Sequence, residues 1–166
     1  MEQPEKPESA HFRLLGLGND LLADDAFGIL AAHEAERLLP GRIEVVCSSA
    51  AGFNLLEHVL GVARVVVLDT ITTDTAKPGT LHVFRVDQLP RQAGIAPHFL
   101  GLFEVLGFAR QLHLDVAQDA VVIAVEASDC TTIGGDMHPD VQSAIARAVD
   151  LVKQFVAGWG QPYAQV

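Results

Sequence analysis

A chain of 166 residues is one domain's worth of polypeptide, long enough to bury a substantial core. It is 49% hydrophobic and 19% charged, and its formal net charge is −10. That balance excludes nucleic acid, whose phosphates call for lysine and arginine, and docking on an anionic membrane surface.

The opening MEQPEKPESA is polar, acidic and proline-bearing, and reads as a flexible tail over residues 1–11. It lacks the basic start and apolar core of a secretion signal. No apolar run reaches the roughly 18 residues that span a bilayer, so a cytoplasmic protein with no membrane partner is expected. A single α/β domain is expected over residues 12–157, followed by a C-terminal tail over 158–166.

FRLLGL (12–17) is the first predicted strand. DAFGILAAHEAERLL (25–39) follows as a helix, with Phe27, Leu30, Ala31, Ala35 and Leu38 at three-and-four spacing, and ends at Pro40-Gly41. IEVVCS (43–48) is a strand, GFNLLEHVLG (52–61) a shorter helix, and RVVVLD (64–69) a strand apolar enough to be covered on both faces. TLHVFRV (80–86) is a strand, and the hairpin-like TTDTAKPGT before it predicts an antiparallel run. HFLGLFEVLGFARQLH (98–113) repeats Leu102, Val105, Leu106 and Ala109 as a helix face. AVVIAVE (120–126) is the fifth strand, and PDVQSAIARAVDLVKQFV (139–156) the last helix, with Pro139 in its first turn. This order predicts a three-layer α/β/α domain with a twisted, mostly parallel five-stranded sheet, one antiparallel strand, and helices on both faces. Cys47 and Cys130 form no metal-type pair and read as free, buried thiols.

In such a fold, ligands sit outside the carboxyl ends of the strands. Gly16 and Gly18 lie there, in RLLGLGNDLLADDAFGI, but a dinucleotide fingerprint needs a third glycine where this chain has Leu21. Asp20, Asp24 and Asp25 add negative charge where a pyrophosphate would dock. Helix capping accounts for Asp24, with Asp25 complementing the helix dipole, and leaves one side of Asp25 facing the pocket. Asp69 ends the RVVVLD strand at the same edge, where it either meets a ligand or closes an Asx-turn with Thr70–Thr72. His98 stands at a loop–helix junction after Pro97; a lone histidine is more often solvated or structural, and its topological partnership with two carboxylates is what singles it out. Two carboxylates and an imidazole suit zinc, nickel or another divalent transition metal. The residues by themselves point to a metal-binding candidate and stop short of a reaction.

Together these segments resemble the NiFe-hydrogenase maturation endopeptidases. LLGLGNDLLADDAFGI is similar to that family's G-x-G-N and D-(D/E)-x-x-G opening, VVVLDT to its second ligand strand, and APHFLGLFEVL to its P-H helix start. MHPDVQSAIARAVDLV is similar to its last helix, so the resemblance covers about residues 12–156. It implies metal contacts by Asp25, Asp69 and His98, with Asp25 and Asp69 handling protons in catalysis. It implies removal of a C-terminal extension from a hydrogenase large-subunit precursor, by a protein expected to be monomeric. It also implies that nickel held by the precursor is what the protease recognises, with zinc or another divalent ion expected in the site of the isolated protein. No serine or cysteine nucleophile with a nearby base is evident, which fits non-covalent hydrolysis.

The family's acidic-glycine-glycine-threonine stretch is replaced here by CSSAAGFNLL, and Ala127 follows Glu126 where relatives often carry proline. The uncharged loop is expected to wall the substrate cleft, with Gly18, Asn19, Ser48, Ser49 and Gly52 contacting the peptide. The altered loop also leaves open a docking module that keeps the fold without cleaving.

Overall fold

The computed structural model describes residues 12–85 and 97–158, apart from the side chains of residues 97–100. Five strands alternate with helices: β1 (Phe12–Leu17), α1 (Phe27–Leu38), β2 (Glu44–Ser48), α2 (Leu56–Val59), β3 (Arg64–Ile71), β4 (Leu81–Arg85), α3 (Pro97–Gln111), β5 (Asp119–Glu126) and α4 (Pro139–Gly158). Short 3-10 turns, Ala23–Ala26 and Gly52–Leu55, lead into α1 and α2. Both segments were expected to be helical throughout; the tighter turns take up their first residues.

The sheet runs β2-β1-β3-β5-β4, parallel except for β4. β4 is antiparallel as expected, but it pairs with β5 and makes no hairpin with β3. The turn signal sets the direction of a strand; which neighbour it joins is a non-local choice. β1 lies between β2 and β3, so the chain switches direction across the sheet there, leaving a crevice at the carboxyl ends of β1 and β3.

β3 and β5 are buried along almost their whole length, as their apolar runs require. Alternate residues divide between two cores. Leu14, Val66, Leu68, Val121 and Ile123 pack under α1 and α4, while Leu15, Val65, Val67 and Val122 pack under α2 and α3. Leu102, Val105, Leu106 and Ala109 all point into the second core.

The face of α1 is rotated from the expected one. Phe27, Ala31, Ala32 and Ala35 are buried, whereas Leu30 and Leu38 are exposed. The cause is close approach of helix to sheet. A Cβ on Gly28 would lie 2.1 Å from the Leu17 carbonyl oxygen and 2.4 Å from that of Leu68. No leucine fits under a helix so near, so alanines take the inner face. Cys47 is exposed on edge strand β2 and Cys130 is half-buried; both are free. The expected burial of the pair thus fails for Cys47, because an edge strand leaves that face uncovered.

Candidate active site

The site begins with the turn after β1. Gly18 has φ +141°, and a Cβ there would stand 1.9 Å from the Asp25 carbonyl oxygen. Only glycine lets the chain pass this close to the start of α1. The turn is stitched by Gly18 N–H to the Ser48 carbonyl at 3.2 Å and Asn19 N–H to the Asp25 carbonyl at 3.3 Å. Asn19 Oδ1 accepts the Leu21 N–H at 3.0 Å. The tight turn therefore shapes protein backbone against protein backbone, with the Asp25 side chain left at the mouth.

Asp24 departs from its expected role. It caps no helix of its own, since the 3-10 turn has an extended Leu22 at its start and no side-chain cap. Its carboxylate is buried and reaches across to the loop between β5 and α4. There it accepts the N–H groups of Ser128 at 2.7 Å, Asp129 at 2.9 Å and His138 at 2.6 Å. Three donors converging on one buried carboxylate satisfy it far better than a helix terminus would.

Asp69 is buried at 6% exposure. It stands two residues inside β3, not at its end, because Asp69, Thr70 and Ile71 pair with Ala124, Val125 and Glu126 of β5. Its Oδ1 accepts the Thr70 N–H at 2.7 Å, and the Thr70 hydroxyl donates to Asp25 Oδ1 at 3.0 Å. Burial pushes the Asp69 carboxyl up to about 7, opposed by the Thr70 N–H bond and reinforced by the negative charge of Asp25. Among the described residues no lysine, arginine or histidine pairs with either carboxylate.

Asp25 and Asp69 share a cavity of about 250 Å³ at the carboxyl edge of β1 and β3. Gly18, Asn19, Ser49, Ala50 and Ala51 also line it. Ser48 and Gly52 stand beside it. The Ser48 hydroxyl accepts the Ala50 N–H at 3.0 Å and meets His58 Nε2 at 3.0 Å, so it braces the wall from behind. That serine–histidine contact was not expected from sequence, nor was Cys47 Sγ at 3.9 Å from His33 Nε2. Neither side chain lines the cavity.

His98 is in the first turn of α3, and its side chain lies outside the described residues. The α3 backbone runs close to the cavity wall: a Cβ on Gly101 would be 3.0 Å from Gly52 Cα. Among the described residues no three histidine, cysteine, aspartate or glutamate side chains assemble a metal cage.

Two further residues stand at the site to which the sequence alone gives no site role, Thr70 being read as an Asx-turn partner and Cys130 as a buried thiol. Thr70 lines the cavity between the two aspartates, and Cys130 Sγ lies 3.7 Å from its hydroxyl. Burial pushes the Cys130 thiol up to about 11, the hydrogen bond to Thr70 opposing and the charges of Asp25, Asp24 and Asp69 adding to it. Thr70 had carried a signal, since a hydroxyl directly after a ligand-strand aspartate can reach the layer opposite.

Residues 29–154 match the family described as HycI, hydrogenase maturation protease. The chain belongs to that family. Asp69 and His98 fall inside the matched span and Asp25 just before it. This maturation protease is 30% identical over 162 residues to the hydrogenase expression/formation protein HupD of Bradyrhizobium diazoefficiens, covering 95% of this chain and 83% of that one. It is 35% identical over 101 residues to the hydrogenase 2 maturation protease of Escherichia coli, 58% of this chain and 62% of that one. Its fold superposes on the hydrogenase maturating endopeptidase HybD from E. coli with a TM-score of 0.76 at 26% identity, over 90% and 94% of the two chains. The NiFe-hydrogenase maturation protease HybD from Thermococcus kodakarensis gives 0.68 at 25% identity, over 88% and 99%. The expected three-layer fold and the protease family are both established for this chain.

Proposed function

We propose that this maturation protease removes the C-terminal extension of a NiFe-hydrogenase large-subunit precursor once nickel is in place. The nickel carried by the precursor is met by Asp25, Asp69 and His98. One observation carries the reading: two carboxylates face a single cavity, and among the described residues no cationic side chain pairs with them. A site built this way favours an arriving cation, because a positive charge offsets the cost of ionising the buried Asp69 and its smaller repulsion by Asp25.

The donor set fits the ion. Carboxylate oxygens with an imidazole suit nickel or zinc, and zinc or another divalent ion would take the same donors in the isolated protein. Bound there, a divalent ion would polarise the scissile carbonyl or lower the pKa of a water molecule. The chain's own contribution is separate. Asp25 or Asp69, both at the cavity, can take a proton from attacking water and return one to the leaving amine. The uncharged wall at Ser49, Ala50 and Ala51 leaves room for an extended peptide to lie beside the two aspartates.

The decisive experiment compares nickel-loaded and nickel-free precursor with wild type and with Asp25→Asn. Cleavage confined to loaded precursor, and lost in the variant, supports the proposal. Equal cleavage of both precursors would sink nickel recognition. Tight binding without cleavage would identify a docking module.

A further inference from the structure

We propose that Thr70 is a positioning residue that fixes the orientation of both site carboxylates toward the cation. The inference rests on the reading of Asp25 and Asp69 as cation contacts and deepens it.

The geometry follows from where Thr70 sits. Successive side chains in a strand point to opposite faces. On β3, Val66 and Leu68 face α1, while Val65 and Val67 face α3. Thr70 continues the first series and Asp69 the second. The threonine hydroxyl is therefore directed to the layer where α1 begins, and donates to Asp25 Oδ1 at 3.0 Å. Its backbone N–H donates to the Asp69 Oδ1 at 2.7 Å. One residue thus holds two carboxylates that belong to different layers.

Each bond occupies one oxygen. Among the described residues no hydrogen bond reaches Asp25 Oδ2 or Asp69 Oδ2. Both residues line the cavity. An oxygen that accepts one hydrogen bond keeps a second lone pair, but the bond fixes the plane of its carboxylate, so Thr70 sets how Asp25 and Asp69 are turned toward the cavity. The hydroxyl is itself oriented. Cys130 Sγ donates to Thr70 Oγ1 at 3.7 Å, a long contact, which fills a lone pair and leaves the hydroxyl proton for Asp25. Thr70 is 8% exposed, so water replaces this bond poorly once the hydroxyl is gone.

Two substitutions separate the hydroxyl from the shape. Thr70→Val keeps the branched volume and the N–H bond to Asp69 but removes the hydroxyl. Thr70→Ser keeps the hydroxyl and removes only a methyl group. Partners that orient a metal-contacting group typically contribute about 10–100-fold to affinity or activity. Thr70→Val should lose that much in Ni²⁺ affinity, measured by calorimetry on the isolated protein with the ion alone. Its kcat on nickel-loaded precursor should fall similarly. Thr70→Ser should stay within about threefold of wild type on both measures. Asp25→Asn is the reference for the underlying reading. If Asp25→Asn retains Ni²⁺ binding and cleavage, the functional reading of the site fails. If Asp25→Asn loses both while Thr70→Val matches wild type, that reading stands and the positioning role of Thr70 is overturned. If Thr70→Ser falls as far as Thr70→Val, the role is packing, and the proposal is likewise overturned.

Discussion

Asp69 shows how one buried side chain ties the site to the stability of the fold. Its carboxyl titrates near 3.8 when exposed and about 7 in the folded protein. The folded state therefore holds that proton more tightly than the unfolded state. Stability from this group is greatest below about pH 4, falls as pH rises toward 7, and levels off above that. The slope within the window is on the order of 1.4 kcal/mol per pH unit for one fully buried group. Asp69→Asn keeps an acceptor for the Thr70 N–H and removes the titration. Urea unfolding from pH 5 to pH 8 should show wild type losing stability relative to Asp69→Asn as pH rises. Parallel curves would mean that Asp69 ionises in the fold without penalty. Asp24, also buried, is supplied with three N–H donors. Two acidic neighbours in sequence, Asp24 and Asp25, thus divide into a buried brace and a half-buried group lining the cavity.

At the level of single elements, α1 and the loop after β2 illustrate two kinds of constraint. α1 sits so close to the sheet that Gly28 has no space for a methyl group. Gly28→Ala should cost about 3 kcal/mol or more through overpacking. Gly107, in the middle of α3, has nothing within 4 Å of a built Cβ. Gly107→Ala should instead add up to about 1 kcal/mol through helix propensity. Thermal unfolding of the two variants should move in opposite directions, and a gain at Gly28 would refute the close-approach account of the alanine face. The loop at 47–54 is constrained differently. Its wall positions are small and uncharged, and its Ser48 is braced by His58. Replacing it with an acidic-glycine-glycine-threonine stretch should change which of two nickel-loaded precursors is cut faster, with Ni²⁺ affinity retained. An unchanged preference would place recognition elsewhere. Glu126, at the end of β5, gathers the Thr73 and Asp74 N–H groups, the Thr73 hydroxyl and His82. Burial raises its carboxyl, but these bonds outweigh it and hold the group below its usual range. It ties the β3–β4 connection to the sheet, which is how β4 comes to lie beside β5.

For the molecule as a whole, the site lies where its layers meet. Asp25 comes from the start of the α1 layer and Asp69 and Thr70 from the central sheet, while the proposed contact His98 is in the first turn of α3 on the other side. Each layer keeps its own apolar core away from these polar groups, so the site can be altered without emptying either core. His98→Ala should accordingly weaken Ni²⁺ binding and precursor processing while leaving the thermal unfolding midpoint in place. Equal losses of activity and stability would point to a structural histidine. No helix among the described residues is long and apolar enough to cross a membrane.

Strand and helix order, the antiparallel sense of β4 and the inner face of α3 were legible in the sequence because each arises from spacing over a few neighbouring residues. The approach of Asp25 and Asp69 was legible too, since the turn after β1 and the carboxyl half of β3 share one edge of the sheet. Other features depended on contacts that span the chain. Asp24 reaches His138 across 114 positions, and Thr70 reaches Asp25 across 45. Local pattern carries no trace of such pairings, so a capping aspartate and a bridging one look alike. Only the packed layers decided that Leu30 and Leu38 face outward, that β4 joins β5, and that one threonine holds both carboxylates. The reason is physical: side-chain direction along an element is a local matter, but its partner is set by which surfaces the folded core brings together.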